Sequence, residues 1–490
     1  MVRRPLLPTH HLRTDVTASL VVFLVALPLC VGVAVASGVP AELGLVTGIV
    51  GGLVTGLLPG SSLQVSGPAA GLTVLVHEAV TEHGLPMLGA LVFAAGLLQL
   101  AMGALRLGRW FRAVSLSVVQ GMLAGIGLVL IAGQLYALAG ARAPGQGPAN
   151  LAGLPGLAVT TAGDRTGLAA AAVGGATLLV LVLWRRLPAR VRVVPAPLAA
   201  VALATAVTAL ADLPIGRIQV NGLLAVVRAP APEQFAGLAG AGALGTVLAF
   251  TLIASAESLF SAAAVDRLHD GPRTDFDKEL MAQGAGNAVC GLLGALPMTA
   301  VIVRSAANVQ AGARTKASRV LHGCWLLLFA ALLPAALGAI PVAALAGVLV
   351  HAGAKLIPLK SLLPLWRSHR GEALVLAATA VAILATNLFE GVLLGLLLAV
   401  LKSAWETSHL HTEVTERPGA PVLLRLSGNA TFLRLPRLLE TLDSLPPGRP
   451  IEVDLAGVRH LDHACRAALR EWVQRHNADG SETVRVSAPV

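Results

Sequence analysis

Charged residues are too sparse over most of this chain for it to fold in water. Apolar windows such as 16–36, 88–105 and 323–342 approach the ~20 residues that a membrane-spanning helix needs. Only 13% of the 490 residues are charged, against about 25% in an ordinary soluble domain. Such a chain cannot clothe a globular surface with polar groups, so lipid must be its solvent. No secretory signal peptide is visible, because the first apolar stretch lacks a clear cleavage site and leads straight into further spans. The formal charge of +10 and sequence pI near 10.4 do not mark a nucleic-acid binder, since the basic residues sit in short connections between apolar segments. The four cysteines are scattered and form neither a disulfide framework nor a CxxC zinc pattern. No metal or cofactor is expected.

The apolar pattern divides into fourteen spans in two groups of seven. The first group is 16–36, 41–58, a short 67–80, 86–105, 114–138, 167–184 and 194–211. The second is 242–266, 279–294, a short 299–311, 317–336, 340–356, 372–388 and 389–404. A transport domain of 15–404 results, with repeats at about 15–211 and 242–404, behind a cytoplasmic N-terminus of 1–14. Basic residues set the orientation. One side collects Arg3, Arg4 and Arg13, then Arg106, Arg109 and Arg112, then Arg185, Arg186, Arg190 and Arg192. Arg267, Arg273, Lys278, Arg314, Lys316, Arg319, Lys360, Arg367, Arg370 and Lys402 continue it. The other side holds only Arg142, Arg165, Arg217 and Arg228, so the N-terminus is expected in the cytoplasm of an inner (plasma) membrane. The even span count returns the C-terminus there.

Seven is odd, so the second group enters the membrane upside-down, which is the inverted-repeat plan of many transporters. The third segment of each group is broken in the same way, as Ser66-Gly67-Pro68-Ala69-Ala70-Gly71-Leu72-Thr73 and as Pro297-Met298-Thr299-Ala300 through Arg304-Ser305. In each, an extended stretch is expected to run to the proline and a short helix to start there. Two helix starts facing each other at mid-membrane would form an anion site from free N–H groups and partial positive charge. The candidate substrate-binding residues are Ser66, Gly67, Ala69, Ala70 and Thr73, with Thr299, Ala300, Arg304 and Ser305. Ser66, Thr73, Thr299 and Ser305 are expected to add hydroxyl donors. Arg304, expected one turn inside the second half-helix, either faces the anion or is paired to an acid for packing. Glu257, inside an otherwise apolar span, is its natural partner. It could neutralise Arg304, bind a cation or carry a proton. Gln283 and Asn287 are expected to satisfy backbone groups between helices. His77, Glu78 and His83 lack zinc-binding HExxH spacing and read as a loop at the membrane edge.

After about Glu413 the pattern becomes that of a small α/β domain, 413–490. Strands are expected at 421–426, 451–455 and 483–486, with helices at 433–445 and 466–475.

These features together resemble a known family. Asp15-Val16 through Gly38, the Ser66-Gly67-Pro68 turn, Glu279-Leu280-Met281-Ala282-Gln283-Gly284 and the run from Arg304 to Thr315 resemble the SulP (sulfate permease) anion transporters. The terminal domain is similar to STAS domains. The resemblance implies a core domain moving against a gate domain, commonly in a homodimer, and secondary transport of a small inorganic anion of the sulfate or bicarbonate class. Sodium-coupled bicarbonate members use a threonine, an acid and a second threonine where this chain has Ala69, Glu257 and Ile302. Two side-chain oxygens are thereby missing, which points to proton symport or anion exchange. STAS-type antagonists carry a phosphate-accepting serine where this chain reads Asp462-His463-Ala464-Cys465, which leaves the domain for folding, dimerisation or docking of a cytoplasmic partner. The alternatives are a nucleobase or other solute carrier on the same fold, and a membrane-bound sensor signalling through the terminal domain.

Overall fold

The computed structural model describes residues 12–109, 115–144, 147–188, 190–191, 194–219, 222–446, 449–478 and 484–487. Arg3, Arg4, Arg112, Arg192 and the first residues of the expected 114–138 span and 483–486 strand lie outside the described residues. The chain separates into two compact units, Met1–Gly395 and Leu396–Val490.

In the first unit, α1 (Leu12–Ala36) is followed by α2 (Ala41–Val50), which runs into a π-helical turn at Gly51–Thr55. Then come β1 (Ser66–Pro68), a 3₁₀ turn at Ala70–Leu72, α3 (Thr73–His83), α4 (Leu85–Ala104) and α5 (Leu116–Leu138). Short helices α6 (Gly147–Ala152) and α7 (Leu154–Gly163), which the apolar pattern did not reveal, lead to α8 (Arg165–Leu183) and α9 (Ala196–Leu210). Two further short pieces, α10 (Leu223–Val226) and α11 (Pro232–Gly237), precede the second half. That half opens with α12 (Ala241–Val265), α13 (Phe276–Leu292), β2 (Met298–Ala300) and α14 (Ile302–Gln310). It continues with α15 (Ala317–Leu332), a short α16 (Pro334–Gly338) and α17 (Val342–Leu356). It closes with α18 (Leu359–Ser368), α19 (Arg370–Ala385) and the beginning of α20 (Leu388–Thr407), whose residues from Leu396 onward belong to the second unit. Each of the fourteen expected spans has its helix or half-helix. Among the described residues, seven helices are long and apolar enough to cross a membrane by length and composition. The remaining segments are shorter.

The two broken segments meet. Strands β1 and β2 pair antiparallel, with Gly67 opposite Thr299, Ser66 opposite Ala300 and Pro68 opposite Met298. This corrects the expected helix starts. Pro68 lies in β1, and Pro297 just precedes β2. The α-helices begin only at Thr73 and Ile302, because the backbone between is held extended by pairing. Arg304 is therefore the third residue of α14, in its first turn. His77, Glu78 and His83 lie on α3 rather than in a loop, and His83 Nε2 is 3.3 Å from Thr246 Oγ1 of α12.

Packing sorts the helices into two groups. Helix α13 lies along α4, and α1 packs on α2 and α15, while α5 lies along α17 and α19, with α8 on α17. The α4–α13 contact is close. A Cβ at Gly89 would lie 2.8 Å from the Gly291 carbonyl, and one at Gly284 would lie 2.6 Å from the Leu100 nitrogen. Small residues let helices approach in this way where lipid gives no hydrophobic drive to associate.

Buried polar groups tie the segment ends. Asp15 accepts from the Arg314 nitrogen at 2.7 Å, from the Thr315 nitrogen at 3.2 Å and from the Thr315 hydroxyl. Glu279 accepts from the Ser61 nitrogen and from Gln283 Nε2, each at 2.7 Å. Arg319 donates to the Gly56 and Leu58 carbonyls at 2.9 Å, closing the C-terminal end left ragged by the π turn. Asn287 bonds the Met298 nitrogen and carbonyl, as expected, whereas Gln283 bonds the side chains of Ser66 and Glu279 instead of backbone.

The second unit holds a four-stranded sheet in the order β3–β4–β5–β6. These are β3 (Leu410–Thr415), β4 (Val422–Ala430), β5 (Ile451–Leu461) and β6 (Val484–Ser487). The first pair is antiparallel and the others are parallel, with α21 (Leu435–Asp443) and α22 (His463–His476) as crossovers. Strand β3 was not anticipated. Only Leu410 of its six residues is buried, so it lacks an apolar alternation, and it begins ahead of the expected start at Glu413. Leu424, Leu426, Leu438, Leu442, Leu469 and Trp472 fill the core between sheet and helices. Asp462 caps α22 through Cys465 N at 2.8 Å. Burial foremost, with the Asp462 hydrogen bond and charge, pushes the Cys465 thiol up to about 12, so it is protonated and unreactive at neutral pH.

Replacing Asp15 by Ala leaves three donors at the α14–α15 corner without their acceptor, at a cost of about 2 kcal/mol or more. We expect Asp15→Ala to lower the melting temperature of the detergent-solubilised protein by several degrees, and Asp15→Asn by less. An unchanged melting temperature for Asp15→Ala would show that this corner does not hold the spans together.

Candidate functional site

Between the paired strands and helices α5, α12 and α17 lies a cavity of about 110 Å³. Pro68, Ala69, Ala70 and Gly71 form one wall, and Ala300, Val301, Ile302, Val303 and Arg304 another. Glu257, Phe260 and Ser261 of α12, Val119, Met122 and Leu123 of α5, and His351 and Lys355 of α17 complete it. The lining is largely apolar, and a few polar groups converge on it, as in a site made to orient a small ligand.

Both half-helix starts reach this cavity. The first-turn N–H groups of a helix have no partner within it, and the strand pairing aims the α14 start and the 3₁₀ turn ahead of α3 at the same space. Arg304 crosses from α14 to β1. Its Nη2 donates to the Pro68 carbonyl at 3.2 Å, while Nε and Nη1 have no hydrogen-bond partner although the residue is fully buried. Only Gly67 admits it, since a Cβ there would collide with Arg304 Nη1. A buried guanidinium with two unused donors is costly unless an anion or water takes them.

Glu257 does not pair with Arg304. Its carboxylate instead rests on the backbone of Gly71, where a Cβ would lie 2.9 Å from the Glu257 Cδ and 3.0 Å from Oε2, and Oε2 has no hydrogen-bond partner. The two charges expected to form a pair thus rest at different points of the first broken segment, the guanidinium on Gly67 and Pro68 and the carboxylate on Gly71. The physical reason is the strand register, which brings the α14 start against β1, so that the Arg304 side chain ends on the Pro68 carbonyl.

The structure brings Ala69, Ala70, Ala300, Arg304 and Glu257 together, and places Gly67 behind Arg304. It does not bring the four hydroxyls to the cavity. Ser305 gives its proton to the Val301 carbonyl at 2.8 Å and accepts from the Val65 nitrogen at 2.9 Å, so it is no donor to a ligand. Ser66 accepts from Gln283 Nε2 at 2.7 Å. Thr299 is buried beside the strand pair, with its hydroxyl 3.4 Å from the Ala300 carbonyl. Thr73 is turned toward a different cavity. Gly71, His351 and Lys355 escaped the sequence reading. The signal for the last two was present: a histidine and a lysine four apart within an apolar span fall on one helix face.

Comparison with known proteins agrees with this architecture. The sulfate permease family model matches residues 12–379, and a STAS-domain model matches 414–489. The chain is 28% identical to the bicarbonate transporter BicA of Picosynechococcus over 507 aligned residues, covering 95% of this chain and 87% of that one. It is 27% identical to the sodium-independent sulfate anion transporter of Bos taurus, over 98% of this chain and 84% of the relative. The solved transmembrane domain of a cyanobacterial bicarbonate transporter BicA superimposes with a TM-score of 0.70 at 25% identity, covering 80% of this chain and 98% of that domain. It follows that this protein is a multi-pass membrane anion transporter with a C-terminal STAS domain, and that it belongs to the sulfate permease family.

Proposed function

We propose that the chain carries a small inorganic anion of the sulfate or bicarbonate class by alternating access, without sodium, the anion resting between the two half-helix starts beside Arg304. The observation that carries this reading is the fully buried guanidinium with two unused donors on the cavity that both half-helix starts reach. Helices α5, α8, α9, α17 and α19 would form the gate against which the strand-paired core moves. The resemblance to sulfate permeases supports a homodimer in the inner membrane, with the N-terminus and the STAS domain cytoplasmic.

Sodium independence rests on the cavity wall. Ala69 and Ile302 stand beside the cavity with Glu257, and neither has a side-chain oxygen, so a single carboxylate would have to strip and hold the ion. The sulfate relative is named sodium-independent, and the other is named only for bicarbonate. Glu257 suggests the alternative coupling. An ionised carboxylate against Gly71 and a bound anion near Arg304 would repel across a low-dielectric cavity. A proton on Glu257 removes that repulsion, so anion and proton would move together.

Arg304→Ala is expected to reduce anion uptake into proteoliposomes at least tenfold while the protein still purifies as a folded species, and Arg304→Lys to recover part of it. If Arg304→Gln binds the anion as tightly as the parent, the arginine is structural and the proposed site is wrong.

Replacing sodium by choline at fixed pH is expected to leave uptake unchanged, and a several-fold loss would refute sodium independence. Uptake should rise when the anion-containing side is made more acidic, and Glu257→Gln should abolish that rise while anion exchange persists. A Glu257→Gln protein with the full response to a pH gradient would exclude Glu257 as the proton carrier.

Topology is checked separately. Reporters that mature only outside the cytoplasm, fused at Val2 or Val490, are expected to stay silent, and a signal from either contradicts the proposed orientation.

A further inference from the structure

A second cavity, of about 720 Å³, opens where α1 and α5 end, and it is lined by polar groups that the Arg304 site does not use. Thr73 and His77 of α3, Gln134 of α5, and Arg142 and Asn150 beyond α5 face it, and among the described residues no Asp or Glu lines it. We propose that this cavity is a second anion-binding station, which holds a small inorganic anion beside Arg142 on its way to or from the Arg304 cavity.

Three observations carry the proposal. Arg142 is exposed at this mouth, and none of the ion pairs among the described residues engages it. Its charge is therefore not cancelled by a neighbour, and a basic cleft with low-dielectric walls raises the local concentration of anions. Thr73 supplies an independent sign of a ligand. It is only 3% exposed, its hydroxyl has no hydrogen-bond partner, and it lines this cavity. Finally, Thr73 is the first residue of α3, while Ala69, Ala70 and Gly71 just before it wall the Arg304 cavity. One half-helix start thus borders both spaces, and an anion leaving Arg142 needs to pass only that turn. The charged group at this mouth attracts an anion, and the neutral Thr73, Gln134 and Asn150 suit a brief stay, since a station on a transport path must also release what it holds.

The inference rests on the reading of the Arg304 cavity as the transport site, and the test separates the two. Ala143 lines the mouth and is exposed. Cys324 is exposed, whereas Cys30, Cys290 and Cys465 are buried, so Ala143→Cys in a Cys324→Ser background offers one accessible thiol for a halide-quenched quinolinium dye. In nanodiscs at low ionic strength, iodide should quench this dye about threefold less in Arg142→Gln than in the parent, and acrylamide equally in both, because only the charged quencher feels the field. Arg142→Lys should keep the iodide effect. In proteoliposomes, Arg142→Gln should raise KM for radiolabelled sulfate or bicarbonate about threefold at low ionic strength, with the difference vanishing at high salt as the charge is screened. Iodide quenching untouched by Arg142→Gln, or an unchanged KM at low ionic strength, overturns the proposal. The quenching needs no turnover, so a parent protein that shows the Arg142-dependent quenching but transports neither anion would leave the station standing and refute the carrier reading instead.

Discussion

The arrangement depends on a six-residue strand pair in a place where strands are costly. Within a bilayer every backbone N–H and C=O must find a partner inside the protein, and a helix interrupted at mid-membrane strands several of them. Here each interruption satisfies the other, through the antiparallel pairing of Ser66–Pro68 with Met298–Ala300, and the Val301 nitrogen extends the pairing to the Val65 carbonyl. Neither half could hold its broken segment alone. The pairing brings the two half-helix starts onto one cavity and makes the inverted halves a single core.

How the buried polar groups are satisfied separates scaffold from site. Asp15, Glu279, Arg319 and Asn287 are buried and anchored to the backbone by hydrogen bonds that tie segment ends and strands in place. Arg304 and Glu257, which both line the cavity, are the opposite case: two guanidinium nitrogens and one carboxylate oxygen are buried without hydrogen-bond partners. Polar groups left wanting in a low-dielectric interior are expensive, and proteins keep them where a ligand or a proton supplies what is missing. The glycines beside these groups have the same logic, since Gly67 and Gly71 leave room for the guanidinium and the carboxylate to lie directly on the backbone.

The STAS unit is built on different rules. Its core is a conventional apolar layer between sheet and helices, and α22 starts on the Asp462 cap. The Cys465 thiol that follows is buried against Leu469 and Trp472 and held protonated, so it serves packing and carries no phosphate chemistry.

The sequence alone determined the solvent, the span count and the break in the third segment of each half, because burial in lipid writes itself as unbroken apolar runs and a broken helix writes itself as Gly and Pro. It also singled out Arg304 and Glu257, since a charge inside an apolar span is visible without a structure. Only the tertiary structure decided their relation. Opposite charges in neighbouring spans suggest a pair, yet strand register set Arg304 on Pro68 and Glu257 on Gly71. It also decided which hydroxyls serve a ligand. Ser305 looks like a donor in sequence, but one strand-end carbonyl takes its only proton. His351 and Lys355 joined the cavity through the packing of α17 on α5, a contact between segments more than two hundred residues apart that no local pattern encodes.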